Sequence, residues 1–228
     1  MAARGRPRSF DRDAALRSAM DAFSVRGYDG TSLEDLLTAM GGLTPPSFYA
    51  AFGSKEALFE EVIDLYRRTV GEGPTQALER SPVRAGIEGM LRAAVETFDS
   101  PEGGHGCLLV LGAPTRTRTN GPVHERLREM RCQAPEMIRR RLERAVVEGE
   151  LSAAARLDDI AAFYTTVAHG LAIAARDGAS HRTLLAVVDG AMAAWDTVTT
   201  RTAKRSASTR KRTAHKLRAK RKGSGKRG

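Results

Sequence analysis

The sequence predicts an all-α protein, on three observations. Ala, Leu, Arg and Glu, all good helix formers, are abundant. Alternation of apolar and polar residues at strand spacing is scarce. Prolines and glycines cut the first 200 residues into segments whose apolar positions recur at helical period.

The first helix is expected over residues 12–26. Ala15, Ala19, Ala22 and Phe23 give it an apolar face flanked by Leu16 and Met20, Asp11 is placed to cap it, and Gly27 stands where its C-terminal turn needs a glycine. A second helix is expected from Thr31 as N-cap. The run Thr31-Ser32-Leu33-Glu34 fits a capping box, Leu33, Leu36, Leu37 and Met40 follow, and Gly41-Gly42 ends it. The third, residues 45–52, opens on two prolines. With Thr44 as N-cap, Pro45 and Pro46 fall in the first turn, where amides have no intrahelical partner, and Thr44 reaches past them to the amide of Ser47. Phe48 and Phe52 share one face and are expected in the core. Gly53 ends this helix. Ser54 caps a fourth, residues 55–70, with Leu58, Phe59, Val62 and Leu65 inward.

Longer helices are expected over residues 83–98, 123–147, 158–176 and 181–198, with a short one over 107–113. Pro101, Pro114 and Pro122 fall in connections, whereas Pro135 falls inside the long helix and is expected to kink or split it.

Composition narrows the function. No apolar run approaches the roughly 20 residues of a membrane helix, and the N-terminus lacks the apolar stretch of a secretory signal. Two cysteines, Cys107 and Cys132, make neither a disulfide framework nor metal-ligand spacing, and His105-x-Cys107 is too sparse for a metal site. A cytoplasmic protein without metal or cofactor is expected. No Ser/His/Asp or Cys/His constellation has usable spacing, so an enzyme is not expected. Cys107, in the apolar run CLLVLGA, reads as a buried inert thiol; Cys132, among arginines, is the better redox candidate. The arginines of residues 137–144 read as a solvated helix face paired with glutamates.

The formal charge of +10 is unevenly placed. Residues 201–228 hold 13 Lys/Arg and no Asp/Glu, which leaves 24 basic against 27 acidic residues, a net −3, in residues 1–200. The basic character therefore belongs to the tail, with a short arm of Arg4, Arg6 and Arg8 at the other end.

Three short helices joined by tight glycine turns match a helix-turn-helix, although apolar spacing alone does not separate that from a small helical bundle. In the first reading, the exposed side of the third helix faces a DNA major groove: Pro45, Pro46 and Ser47 meet base edges, while Tyr49 and Lys55 reach phosphates. In the second, Tyr49 is a surface aromatic and Lys55 a solvated charge.

Residues 20–63 decide between them by resemblance. The motifs F-x-x-x-G-Y-x-x-T-S at Phe23–Ser32, the helix-turn-helix with Tyr49 and Phe52, and G-S-K-E-A-L at Gly53–Leu58 resemble the DNA-binding region of the TetR family of bacterial transcriptional regulators. GCLLV at Gly106–Val110 and ARDGAS at Ala175–Ser180 resemble parts of its regulatory domain more loosely. The resemblance implies a homodimer and a ligand-responsive repressor on a pseudo-palindromic double-stranded operator. It implies DNA contacts at Thr31, Thr44, Pro45, Pro46, Ser47, Tyr49 and Lys55. Many members carry His or Tyr where this chain has Ala51, so one common phosphate contact is missing.

The resemblance also implies a DNA-binding domain (10–56) and a helical regulatory and dimerisation domain (57–200), flanked by the basic arm (1–9) and the basic tail (201–228) that the charge distribution marks out. Within the regulatory domain, Phe98, Leu111, Met130, Met137, Phe163 and Tyr164 are the candidates for a pocket holding an unidentified small-molecule effector. His169, Gly170, Leu184, Val188 and Met192, on the last two helices, are the candidates for the dimer interface. The family does not explain the tail. Its composition cannot build a core and suits attraction to DNA phosphates, and the alternative function is a non-specific, nucleoid-type protein driven by it.

Overall fold

The computed structural model describes residues 10–98 and 106–200, and every regular element among them is a helix. The basic arm, the tail and His105 lie outside the described residues. The helices are α1 (Arg12–Gly30), α2 (Leu33–Ala39), α3 (Pro45–Phe52), α4 (Lys55–Thr69), α5 (Glu72–Leu78), α6 (Val83–Phe98), α7 (Leu108–Leu111), α8 (Gly121–Val147), α9 (Leu157–Arg176), α10 (His181–Ala193) and α11 (Trp195–Thr199).

Two apolar clusters organise them. The first gathers α1–α4 around Phe23, Leu36, Phe48, Phe59 and Ile63, and is sealed from the other side by Leu108, Val123 and Leu127 of α7 and α8. Phe59 stands edge-on to both Phe23 and Tyr28, at 4.8 and 5.1 Å between centroids. The second packs α6, α8, α9 and α10 around Ile87, Leu91, Leu142, Tyr164 and Val188. Because α4 contributes Leu58 through Tyr66 to the first cluster, the boundary expected after residue 56 falls inside a continuously packed helix.

Asp11 caps α1 as expected, accepting from the amides of Asp13 and Ala14 at 2.9 and 3.1 Å. Gly27 then takes φ 69°, and the helix resumes for three residues beyond the bend. The bend exposes the amide of Tyr28, which donates to Gly112 O at 2.7 Å. A Cβ on Gly27 would stand 2.9 Å from that same oxygen, so glycine is required for both its backbone angle and its close approach to α7.

Four expectations need correction. The cap of α2 is Ser32, not Thr31: Ser32 Oγ accepts from Asp35 N at 3.1 Å, and the Ser32 amide donates to Asp35 Oδ2 at 2.8 Å. The box is therefore one residue later and closed by an aspartate. Helix α5 was not expected, because Gly71, Gly73 and Pro74 look like breakers. Gly71 is instead its N-cap and Pro74 sits in the first turn, where a missing amide costs nothing. Pro135 lies inside α8 without splitting it. The last expected helix divides at Ala194 into α10 and α11.

Candidate functional site

The turn between α2 and α3 is made by Gly41 and Gly42, both with left-handed φ (87° and 73°), followed by Leu43 anchored in the core. It delivers Thr44 as the N-cap of α3, with Pro45 and Pro46 in the first turn and the Ser47 amide donating to Thr44 Oγ1 at 3.4 Å. Phe48 and Phe52 are buried on one side. The opposite side presents Thr44, Pro45, Pro46, Tyr49 and Ala50 to solvent, with Tyr49 51% exposed and Ser47 half-buried between. This face carries no charge: it offers hydroxyls, proline rings and small side chains.

Its mounting is charged, and the charges are spent inward. Arg12 lies 4.6 Å over the Phe52 ring and donates to Glu61 at 2.6 Å, tying α1 to α3 and α4. Lys55 is half-buried with Nζ 4.3 Å above the Tyr28 ring. Burial pushes its pKa down, and Asp29 and Asp35 partly restore it. Lys55 is thus a fixed cation beside the amide-rich start of α4, where Ser54 Oγ takes the Ala57 amide at 3.0 Å. Sequence reasoning missed the Tyr28 platform; the G-Y pair in F-x-x-x-G-Y was its only signal.

Thr31 is a correction. It is fully buried and its hydroxyl donates to Gly27 O at 2.7 Å, so its side chain braces the bend in α1 and is not presented on the surface beside α3.

On the far side a groove of about 1470 Å³ opens between α4, α5, α6, α7, α8 and α9. Of the expected pocket residues, Phe98, Met130 and Met137 line it; Leu111, Phe163 and Tyr164 do not. Tyr164 is buried against α10 and α11, donating its hydroxyl to Ala191 O at 3.3 Å and packing 5.7 Å from Trp195, and Phe163 stands edge-on beside it. The groove-facing positions of α9 come a turn later, at Ala168 and His169. Sequence reasoning also missed Tyr66, Met90, Cys107 and Arg131 on the groove wall. Burial raises the pKa of both Tyr66 and the Cys107 thiol, which keeps both protonated. Cys132 is exposed, with Arg128 Nη1 3.7 Å from its sulfur.

The two regions share walls. Tyr66 belongs to α4 and lines the groove, while α7 both lines it and holds the α1 bend through Gly112. Asn120 adds a bond to Asp29 at 2.6 Å, and Arg176 of α9 donates to Ser24 O at 3.0 Å.

The interface expectations also change. Leu184, Val188 and Met192 are buried inside their own chain against α6 and α9, so none is available to a partner. His169 faces the groove and Gly170 is exposed. The surface left open on α9 and α10 is the neighbouring stripe with Gly170, Ile173, Ala186, Val187 and Gly190, of which Ile173 and Val187 are 48% and 46% exposed.

Comparison with known proteins agrees with this arrangement. Residues 15–62 match the family model of bacterial regulatory proteins of the tetR family, and residues 83–187 match the tetracyclin repressor-like C-terminal domain. The HTH-type transcriptional repressor ComR of Escherichia coli is 31% identical over 194 residues, covering 84% of this chain and 92% of ComR. The repressor BdcR of the same organism is 33% identical over 109 residues, 47% of this chain and 55% of BdcR. A cysteine-substituted form of the TetR family regulator CifR, solved with a 26-base-pair operator, superposes with a TM-score of 0.80 at 43% identity, covering 83% of this chain and 100% of that one. With both halves matched and ComR covered almost end to end, the chain belongs to the TetR family of bacterial transcriptional regulators.

Proposed function

We propose that the protein is a dimeric, ligand-responsive repressor in which α3 of each subunit reads one half of a pseudo-palindromic operator. The observation that carries this is the face of α3: on an otherwise well-packed domain, Thr44–Pro46, Tyr49 and Ala50 are left uncovered beside the amide-rich start of α4. Small and apolar atoms there can approach base edges and thymine methyls, and Tyr49 and Lys55 can reach phosphates. The operator complexes of CifR support the same assignment for this chain.

Dimerisation is assigned to the exposed stripe of α9 and α10. A Cβ on Gly170 or Gly190 would meet nothing within 4 Å in the single chain, so both leave room for a second helix to come close. Two reading heads held this way would enter successive major grooves about one helical turn apart. The effector is a small molecule in the groove bounded by Tyr66 of α4. A ligand that prefers one position of α4 and α7 shifts the population of head spacings, by no more than its difference in affinity for the two states. No enzymatic step enters this reading, and residence in the cytoplasm follows from DNA as partner.

The test is selection of bound duplexes from a random pool by the full-length protein. Two inverted half-sites are expected. Recovery without any shared motif would leave only the tail-driven alternative, whose residues lie outside those described.

A further inference from the structure

We propose that the inner end of the groove takes the carboxylate of a small amphipathic organic acid, with Arg131 as its counter-ion. This rests on the groove being the effector site and names the chemical class of that effector.

Helix α8 carries seven arginines. Six have a carboxylate within ion-pair distance: Arg126 with Glu60, Arg128 with Glu125, Arg139 and Arg140 with Glu136, Arg141 with Glu150, and Arg144 with Glu79. Arg131 has none among the described residues. Its guanidinium is partly buried on the groove wall, and its one hydrogen bond is from Nη1 to Leu109 O at 3.1 Å. A guanidinium has five N–H donors, so most of its capacity is unused. A cation withdrawn from water without a counter-charge is costly, and a bound anion relieves that cost.

The groove wall also carries Asp64, Glu72, Glu79 and Glu136, of which Glu136 is paired with Arg139 and Arg140 and Glu79 with Arg144, and among the described residues none of the four is within ion-pair distance of Arg131. His169 lines the same groove, and burial together with the charge of Arg131 disfavours its protonation, leaving a neutral imidazole able to donate one bond. The protonated Tyr66 and Cys107 bring no negative charge. Beside this polar end stand Met90, Phe98 and Met130, buried or half-buried, which suit an alkyl or aryl body. The combination selects against inorganic anions, which have no apolar part, and against neutral amphiphiles, which leave the guanidinium unpaired.

The experiment is titration calorimetry on the full-length protein with sodium octanoate, octanamide and inorganic phosphate, repeated on Arg131→Gln and Arg131→Lys. Octanoate should bind the parent protein, with octanamide and phosphate at least tenfold weaker. Arg131→Gln should weaken octanoate by about 10- to 100-fold, the usual range for a charge-assisted pair, and leave octanamide unchanged. Arg131→Lys should fall between, and circular dichroism should show all three proteins equally helical. Equal binding of octanoate and octanamide, equal binding of phosphate, an unchanged octanoate affinity in Arg131→Gln, or no binding of any probe overturns the proposal. An operator shift assay without ligand runs in parallel. Protein that holds its operator but ignores octanoate defeats this inference alone; protein that binds octanoate but selects no operator defeats the regulator reading alone.

Discussion

Tyr49 and Lys55, the residues proposed to reach phosphates, are not equivalent. Tyr49 is exposed and makes its ring contact with Phe48 beneath, whereas Lys55 is already seated on Tyr28. Tyr49→Phe should therefore weaken operator binding without affecting folding, while Lys55→Ala should also lower stability by about 0.5–1 kcal/mol through the lost cation–π contact. The double variant should reduce the slope of log affinity against log salt by about 1, all of it from Lys55, because the Tyr49 hydroxyl is neutral and its loss weakens binding at every salt concentration alike; an unchanged slope would remove Lys55 from the backbone contacts. Arg141 is a different case. Its side chain is fully buried, bonded to Arg80 O at 3.0 Å and facing Glu150. Arg141→Ala should cost about 3–5 kcal/mol in urea unfolding, because it removes the charge facing Glu150 and leaves that carboxylate with the Val83 amide, and adding Glu150→Gln should recover part of that loss. His169 gives the pH dependence. Burial first, and Arg131 second, hold its pKa below the ordinary histidine value, so the unfolded chain binds its proton more readily than the folded one. Its contribution is complete above the unfolded pKa and is lost as pH falls through the window below about 6.5. The melting temperature of His169→Gln should thus fall less between pH 7 and 5.5 than that of the parent protein. An equal fall would place the acid sensitivity elsewhere.

At the scale of elements, the bend in α1 is bonded to the end of α7 through Tyr28 N and Gly112 O. Gly27→Ala forces a side chain into left-handed backbone and against Gly112 O. It should destabilise by about 1–3 kcal/mol, and it should also change how far the effector lowers operator affinity. A stability loss with unaltered ligand response would reduce the junction to simple packing. Elements such as α3 were legible in the sequence because their signals are local: Thr44 and two prolines fix a start, and Phe48 and Phe52 fix a face. Where two local signals competed, sequence could not choose. Thr31-x-x-Glu34 and Ser32-x-x-Asp35 both spell a capping box, and the burial of Thr31 against Gly27 decides for the second. Helix α5 was hidden because glycine and proline read as breakers unless the helix start is known. The pocket and interface were least legible. Leu184, Val188 and Met192 form an apolar stripe that fits either the chain's own core or a partner, and only the packing of α6 and α9 assigns it to the core. On α8 a partner of Arg128, Arg139, Arg140 and Arg144 is legible at i,i+3 or i,i+4 spacing, whereas those of Arg126 and Arg141 are not, and only the carboxylates brought up by α4 and the α8–α9 connection set these two apart from Arg131.

Over the whole molecule, charge is divided in a way the reading head does not explain. The face of α3 is neutral, Arg12 and Arg26 are committed to Glu61 and Asp35, and Lys55 is the cation nearest the start of α4. Residues 1–200 together carry a net −3, yet the partner is a polyanion. The 13 Lys/Arg of residues 201–228 more than reverse that balance. A basic segment that meets DNA would contribute affinity by releasing counterions, a term blind to sequence and steeply dependent on salt. A 28-residue segment also spans at most about 100 Å, long enough to meet phosphates well outside two half-sites. A protein ending at residue 200 should therefore select the same operator from a random pool, since α3 is untouched. Its salt slope should fall by several units, and its affinity at low salt should drop by orders of magnitude while converging with the parent at high salt. If truncation changes the selected motif, the tail reads bases; if the slope does not move, the tail does not touch DNA and the neutral face of α3 carries the affinity alone.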